Sequence, residues 1–185
     1  MALRTALLVA LLEGESSGYD LAKAFDTTMA NFWSATPQQL YRELERLAAD
    51  GLVEARLVEQ ERRPTKRVFR LTEAGENAIR AFTRSRPKAS VIRDDLLVQV
   101  QAVDAGDMTC VAGAIAHQID LSRNKLARYE RRRERFLQGG TEADFLARAE
   151  RIGPYLALLR GIHFENENIR WGTTALAAIQ ARSGE

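Results

Sequence analysis

Cysteine occurs once in this 185-residue sequence, as Cys110, so no internal disulfide can form and the chain fits a reducing compartment. Proline is limited to 4 positions and glycine to 12, which removes most of the punctuation that a series of strands and hairpins needs. Long stretches are left free to be helical. No run approaches the roughly 18–20 apolar residues of a membrane span, so no membrane partner is expected. The apolar opening from Ala2 to Leu12 has little basic flank and passes into Glu13 and Glu15 without a small-residue cleavage site, which reads as a buried first helix rather than a signal peptide. A cytoplasmic protein is expected. Catalytic and metal-binding patterns are missing too. His117 and His163 stand alone, Glu165 and Glu167 have no cleft-forming scaffold around them, and no phosphate loop, nucleophile elbow or zinc signature is present. No catalytic residue, metal or cofactor is expected, and the chain reads as a non-enzyme.

What is present is globular: 45% hydrophobic and 28% charged residues, well away from the composition of disordered chains. The formal net charge of +2 is too small to indicate a nucleic-acid partner by itself, and residues 1–85 carry 12 Lys/Arg against 12 Asp/Glu. The positive charge is local, because Gln60 to Arg70 holds five basic residues and one acidic.

Three helices come first. Gly14 ends the opening one, Ser17-Gly18-Tyr19-Asp20 is a capping-box variant before an apolar stripe of Leu21, Ala24 and Phe25, and Thr36-Pro37-Gln38-Gln39 opens the third. That segment supplies an N-cap, a proline at the first helical position and a glutamine three residues after the cap. After Gly51 the period changes to two: Val53, Ala55 and Leu57 alternate with Glu54, Arg56 and Val58, and Arg67, Phe69 and Leu71 with Val68 and Arg70, so two short strands flank a basic turn from Arg62 to Lys66. Thr72 then caps a helix carrying Ala78, Ile79 and Phe82. The order α-α-α-β-β-α predicts a winged helix-turn-helix with a two-stranded wing over residues 1–85.

Ser85-Arg86-Pro87-Lys88 marks a boundary, and residues 90–182 read as a helical domain. A short helix around Ile92 to Val100 precedes a long one from about Thr109 to Leu137. Gly139-Gly140 turns the chain back into a helical stretch from Thr141 to about Ala181, with Gly153-Pro154 as a kink or restart. Phe145, Ala149, Ile152, Leu156, Leu159 and His163 fall at alternating steps of four and three, a heptad seam. Two antiparallel helices bury too little surface alone, so a second copy and a two-fold homodimer are expected. The overall class is mainly α. Cys110 and the tryptophans Trp33 and Trp171 read as packing residues, and Arg131 to Arg135 as a solvated face.

On a wheel of about 100° per residue, Leu40, Leu44 and Leu47 form the buried face of the third helix. Gln38, Arg42, Glu45, Arg46 and Ala49 fall opposite them, with Gln39 and Tyr41 on the flanks. Gln38 and Arg42 near the helix start suit base edges in a major groove. Thr36, Gln39 and Tyr41 beside them, and Arg62, Arg63 and Lys66 of the wing, suit backbone phosphates. Glu43, Glu45 and Asp50 leave an ordinary solvated face open as the alternative.

Gly18-Tyr19-Asp20-Leu21, Leu40-Tyr41-Arg42-Glu43-Leu44-Glu45-Arg46-Leu47, Gly51-Leu52-Val53, Arg63-Pro64-Thr65-Lys66-Arg67-Val68-Phe69 and Leu71-Thr72-Glu73-Ala74-Gly75, in this order and spacing, resemble the PadR family of bacterial transcriptional regulators. Leu159-Arg160-Gly161-Ile162 and Ile169-Arg170-Trp171 resemble the terminal helix of its longer-tailed subfamily. The resemblance implies a homodimeric regulator that represses or activates from a palindromic double-stranded DNA operator, repression being the first expectation, often relieved by a small-molecule effector. Phe32 and Trp33 are the candidates for that effector. The chain departs from the family pattern in having Phe69 where tyrosine is common, and Gln38-Gln39 ahead of Leu40-Tyr41, which bears on operator sequence. A winged-helix protein-interaction module and a weakly specific architectural DNA binder are the competing readings.

Overall fold

The structure, a computed structural model, describes residues 2–28, 35–60, 63–87, 89 and 93–183. The chain forms two compact units, residues 1–89 and 90–185.

In the first unit, α1 (Ala2–Ala10) continues as a 3-10 turn (Leu11–Glu13), then β1 (Ser16–Ser17), α2 (Gly18–Thr28), α3 (Pro37–Ala49), β2 (Val53–Gln60), β3 (Arg63–Leu71) and α4 (Glu73–Thr83) follow. The helix starts are set by side chains that take up otherwise unpaired backbone donors. Thr36 Oγ1 accepts from Gln39 N at 3.3 Å while Gln39 Oε1 accepts from Thr36 N at 2.9 Å, a complete capping box, and Thr72 Oγ1 accepts from Gly75 N at 3.2 Å. At α2 the Ser17 hydroxyl accepts from Asp20 N at 3.1 Å and donates to Asp20 Oδ2 at 2.7 Å, so Asp20 returns to the serine side chain. One core joins every element but β1: Leu7 and Leu8 (α1), Leu11, Leu21 and Phe25 (α2), Leu40, Leu44 and Leu47 (α3), Val53, Phe69 and Ile79 (α4). Of the apolar residues named on α4, Ile79 is buried and Phe82 is exposed.

The wing differs from the two-stranded expectation. The sheet is three-stranded and antiparallel in the order β1-β3-β2, with Ser16 opposite Phe69 and Ser17 opposite Val68. Two residues are too short to show alternation, and their pairing is fixed by a partner some fifty positions away. The strands also run on into the basic segment, so Lys66 lies within β3, opposite Val58, rather than in a turn. Ladder hydrogen bonds need no apolar side chains where the ribbon projects from the core.

The second unit consists of α5 (Asp95–Gln101), a 3-10 turn (Val103–Ala105), α6 (Met108–Leu137), α7 (Glu142–Arg148) and α8 (Gly153–Ser183). The short helix starts three residues later than Ile92, which lies outside the described residues, because Asp94 caps it through Leu96 N at 3.0 Å. Gln138, not a glycine, takes the left-handed position that ends α6, with φ 49°, followed by Gly139 with φ 81°. The last helical stretch is broken: α7 stops at Arg148 and α8 restarts at Gly153-Pro154.

α6 and α8 pack antiparallel, since Ile119 lies against Gly172, Lys125 near Glu165 and Arg133 against Tyr155. Two apolar clusters form along the pair. Val111, Ile115, Ile119 and Ile179 make one, and Tyr129, Leu158 and Ile162 the other. The face that α8 turns to α6 therefore holds Tyr155, Leu158, Ile162 and Glu165. It is one residue out of phase with the heptad seam, a rotation of about 100°. Ile152, Leu156 and His163 of the seam are exposed and Leu159 is half-buried. Phe145 packs edge-on to Phe136 at 5.7 Å and against Tyr155 at 4.8 Å. Cys110 is exposed rather than buried. It sits in the first turn of α6, where its N–H donates to Asp107 Oδ1 at 3.0 Å; a further hydrogen bond to Asp107 raises its thiol pKa. No helix among the described residues is long and apolar enough to cross a membrane.

Candidate nucleic-acid interface

Helix α3 presents two opposite faces. Leu40, Leu44 and Leu47 are buried, while Gln38, Arg42, Glu45, Arg46 and Ala49 are exposed, as the wheel required. Thr36 and Gln39 lie at the helix start with their oxygens engaged in the capping box, which leaves the Gln39 amide donors pointing outward from a fixed side chain. Tyr41 is 44% exposed. Its ring rests on the backbone at the start of α2: a Cβ on Gly18 would fall 2.4 Å from Tyr41 Cε1. Gly18 thus leaves room for the Tyr41 ring, and Tyr19, next to Gly18 and 69% exposed, was not singled out from the sequence.

The cations of this region are mostly held by carboxylates. Arg67 Nη1 donates to Glu45 Oε1 at 2.7 Å, joining wing to helix, and its guanidinium lies over the Phe69 ring at 5.3 Å. Arg70 pairs with Glu54 at 2.8 Å, Arg46 with Glu43 at 3.3 Å, and Lys66 Nζ stands 4.0 Å from Asp20 Oδ2. Arg56 grips Glu15 with two donors, at 2.5 and 3.1 Å. That hydrogen bonding holds the Glu15 carboxyl below the usual carboxylate range and raises the Arg56 guanidinium. Arg42 has no ion-pair partner among the described residues. Of the residues expected at the backbone, the side chains of Arg62 and Arg63 lie outside the described residues, as do the effector candidates Phe32 and Trp33. Sequence reasoning missed the Arg67–Glu45 pair because its members are 22 residues apart on different elements. No periodicity connects them.

The second unit holds two polar groupings between its helices. Tyr155, with 0% relative exposure, donates its hydroxyl to Glu142 Oε2 at 2.9 Å and accepts from Arg133 Nε at 3.3 Å. Hydrogen bonding by Tyr155, and then by Arg133, keeps Glu142 below the usual range, and burial pushes the Tyr155 phenol up. Farther along, Glu165 is 3% exposed and meets Lys125 Nζ at 3.5 Å and Asn168 Nδ2 at 3.3 Å. The Arg131 to Arg135 run is therefore not wholly a solvated face, since Arg133 is committed to Tyr155 and Glu142. Among the described residues no group of three or more His, Cys, Asp or Glu could hold a metal ion.

A helix pair, α2 and α3, followed by a β2–β3 ribbon whose basic strand reaches back to α3, defines a winged helix-turn-helix. Residues 7–81 match the Transcriptional regulator PadR-like family, and residues 92–180 match the family Virulence activator alpha C-term. A probable transcriptional regulator of Mycobacterium tuberculosis is 30% identical, over 98% of this chain and 100% of its own length. Among solved structures, Bacillus subtilis PadR in complex with operator DNA is 24% identical with a TM-score of 0.79, covering 97% of this chain and 99% of that one. The same protein in complex with p-coumaric acid superposes with a TM-score of 0.73 at 24% identity and the same coverage. The chain belongs to the PadR-like family of transcriptional regulators, and its fold is that of the winged-helix members.

Proposed function

We propose that this chain acts in the cytoplasm, without enzymatic activity, as a homodimeric repressor on a palindromic double-stranded DNA operator. In this reading residues 1–85 are the DNA-binding domain and residues 90–182 the dimerisation domain. The observation that carries it is the exposed face of α3, where Gln38 and Arg42 stand opposite the buried leucines near the helix N-terminus. Arg42 has five donors for guanine O6 and N7, and Gln38 suits adenine N6 and N7. Thr36, Gln39 and Tyr41 at the helix start and Arg62, Arg63 and Lys66 of the wing hold backbone phosphates and fix the register. The exposed seam of Ile152, Leu156 and His163, with Leu159 half-buried, is the surface a second copy covers.

Release is by a small, largely apolar ligand, with Phe32 and Trp33 as its aromatic contacts; the p-coumaric acid complex of the B. subtilis relative supports an effector of this kind. Such a ligand changes DNA affinity only by its differential affinity for the DNA-competent and incompetent states. Operator binding that is identical with the ligand absent and saturating overturns this part.

The test of the DNA reading separates base reading from backbone holding. Arg42→Ala costs about 1–3 kcal/mol of operator affinity, concentrated at particular base pairs. Replacing Arg62 and Arg63 together with Ala weakens all sequences alike and, with four charges lost per dimer, flattens the slope of log K against log salt by about 3–4. Binding to an operator and its single-base variants across a salt series decides it. A uniform loss from Arg42→Ala, with altered base preference from the wing variant, reverses the assignment.

A further inference from the structure

Arg67 and Glu45 have a consequence beyond the DNA reading on which it rests. Arg67 lies two residues before the buried Phe69, on the same face of β3, and its guanidinium reaches Glu45 of α3 while lying over the Phe69 ring. A helix in the major groove with its wing on the backbone brings a phosphate strand through that gap. There the guanidinium already has an anion, Glu45 Oε1 at 2.7 Å, and both partners are solvent-accessible, at 43% and 55% side-chain exposure. An arginine fork takes carboxylate or phosphate with the same geometry. An exposed pair of this kind is weak enough to exchange. Arg42, one turn earlier on the same helix, has no such partner among the described residues.

We propose that Glu45 is a selectivity residue: its carboxylate stands in for a phosphate and holds Arg67, so that one cation per protomer is withheld from indiscriminate contact with duplex DNA. Non-specific affinity depends almost wholly on the number of phosphates neutralised, whereas operator affinity also draws on base contacts. Withholding a cation therefore lowers the first more than the second and widens the ratio between them. Residues 1–85 keep a net charge of zero while Arg42, without an ion-pair partner among the described residues, stays available for base reading.

The experiment measures binding of the full chain to a mixed-sequence duplex of about three helical turns over a salt series. It compares wild type, Glu45→Ala, Arg67→Met (which keeps the stem over the Phe69 ring) and the double variant, with thermal melting to check that each is folded. Glu45→Ala is expected to tighten non-specific binding several-fold and to steepen the salt slope by about 2 per dimer, one further phosphate per protomer. Arg67→Met leaves both near wild type, and in the double variant the gain disappears. The proposal is overturned if Arg67→Met flattens the slope by about 2 with Glu45 intact, since Arg67 would then already be on a phosphate. It is overturned equally if Glu45→Ala tightens binding as much without Arg67 as with it, since Glu45 would then only repel DNA. If wild type and all variants fail to bind any duplex at low salt, the DNA reading itself falls, and this proposal with it.

Discussion

The two units solve the problem of burying apolar surface in opposite ways. In residues 1–89 one cluster gathers leucines from α1, α2 and α3 with residues of the sheet and α4, so each element covers its neighbours. Ion pairs tie elements far apart in sequence, such as Arg56 to Glu15 and Arg67 to Glu45. In residues 90–185 the long helices meet along a narrow seam with two separate clusters, and Leu121, Ile152, Leu156 and Phe164 remain exposed. A small closed core and a long open hairpin have different needs. The first gathers its helices around one cluster, with Leu57 and Phe82 left exposed outside it, and the second leaves Ile152 and Leu156 exposed along one face of α8.

The sharpest way to break the comparison is in the closed core. Leu44→Ala, at a position with 0% exposure, leaves a cavity among α1, α3 and the sheet and is expected to cost about 2–5 kcal/mol, seen as loss of the first unit's transition in urea denaturation. A carboxylate on the open face should act through association instead. Leu156, 47% exposed, is expected as Leu156→Asp to convert the dimer to monomers in sedimentation at micromolar concentration while helical content is kept. An unchanged dimer removes the seam from the interface.

Two glycines test the packing of each unit. A Cβ on Gly75 would fall 2.2 Å from the Leu52 carbonyl oxygen, and one on Gly172 would fall 2.8 Å from Ile119 Cγ1. Backbone cannot step aside as a side-chain terminus can, so Gly75→Ala should destabilise by about 1–3 kcal/mol and Gly172→Ala by less, measured by chemical denaturation. The reverse order would mean that the α6–α8 contact is the stiffer of the two.

Tyr155→Phe removes a buried hydroxyl that bonds both Glu142 and Arg133, which stay paired with each other, and is expected to cost about 1 kcal/mol at neutral pH. Its pH dependence follows from Glu142, whose folded pKa lies below the ordinary value. The stability linked to that carboxylate is complete above the unfolded pKa of about 4.3 and is lost as pH falls through the lower folded value. The penalty of Tyr155→Phe should therefore shrink as pH falls below the ordinary carboxylate range; a constant penalty would separate the hydroxyl from Glu142 ionisation. The smallest effect is expected at Arg70, whose exposed pair with Glu54 should change stability by no more than about 0.5 kcal/mol on Arg70→Ala.

Local sequence determined a good deal of this protein. The capping box at Thr36, the cap at Thr72, the leucine stripe of α3 and the helix–strand order each depend on residues within a turn of one another, and each is found in the structure. The outward placement of Gln38 and Arg42 follows from the same stripe, because a helix with one face buried fixes the direction of every other side chain on it. Tertiary structure decided the rest. The β1 strand needs Val68 and Phe69 as partners, the hold on Arg67 needs Glu45 on another element, and the Tyr41 ring needs a glycine in the preceding helix to rest against. The heptad seam shows the division most clearly. Its spacing marks an apolar face on α8, but which of two adjacent faces meets α6 is settled by side chains on both helices, and a periodicity within one strand of sequence carries no information about the helix it will pack against.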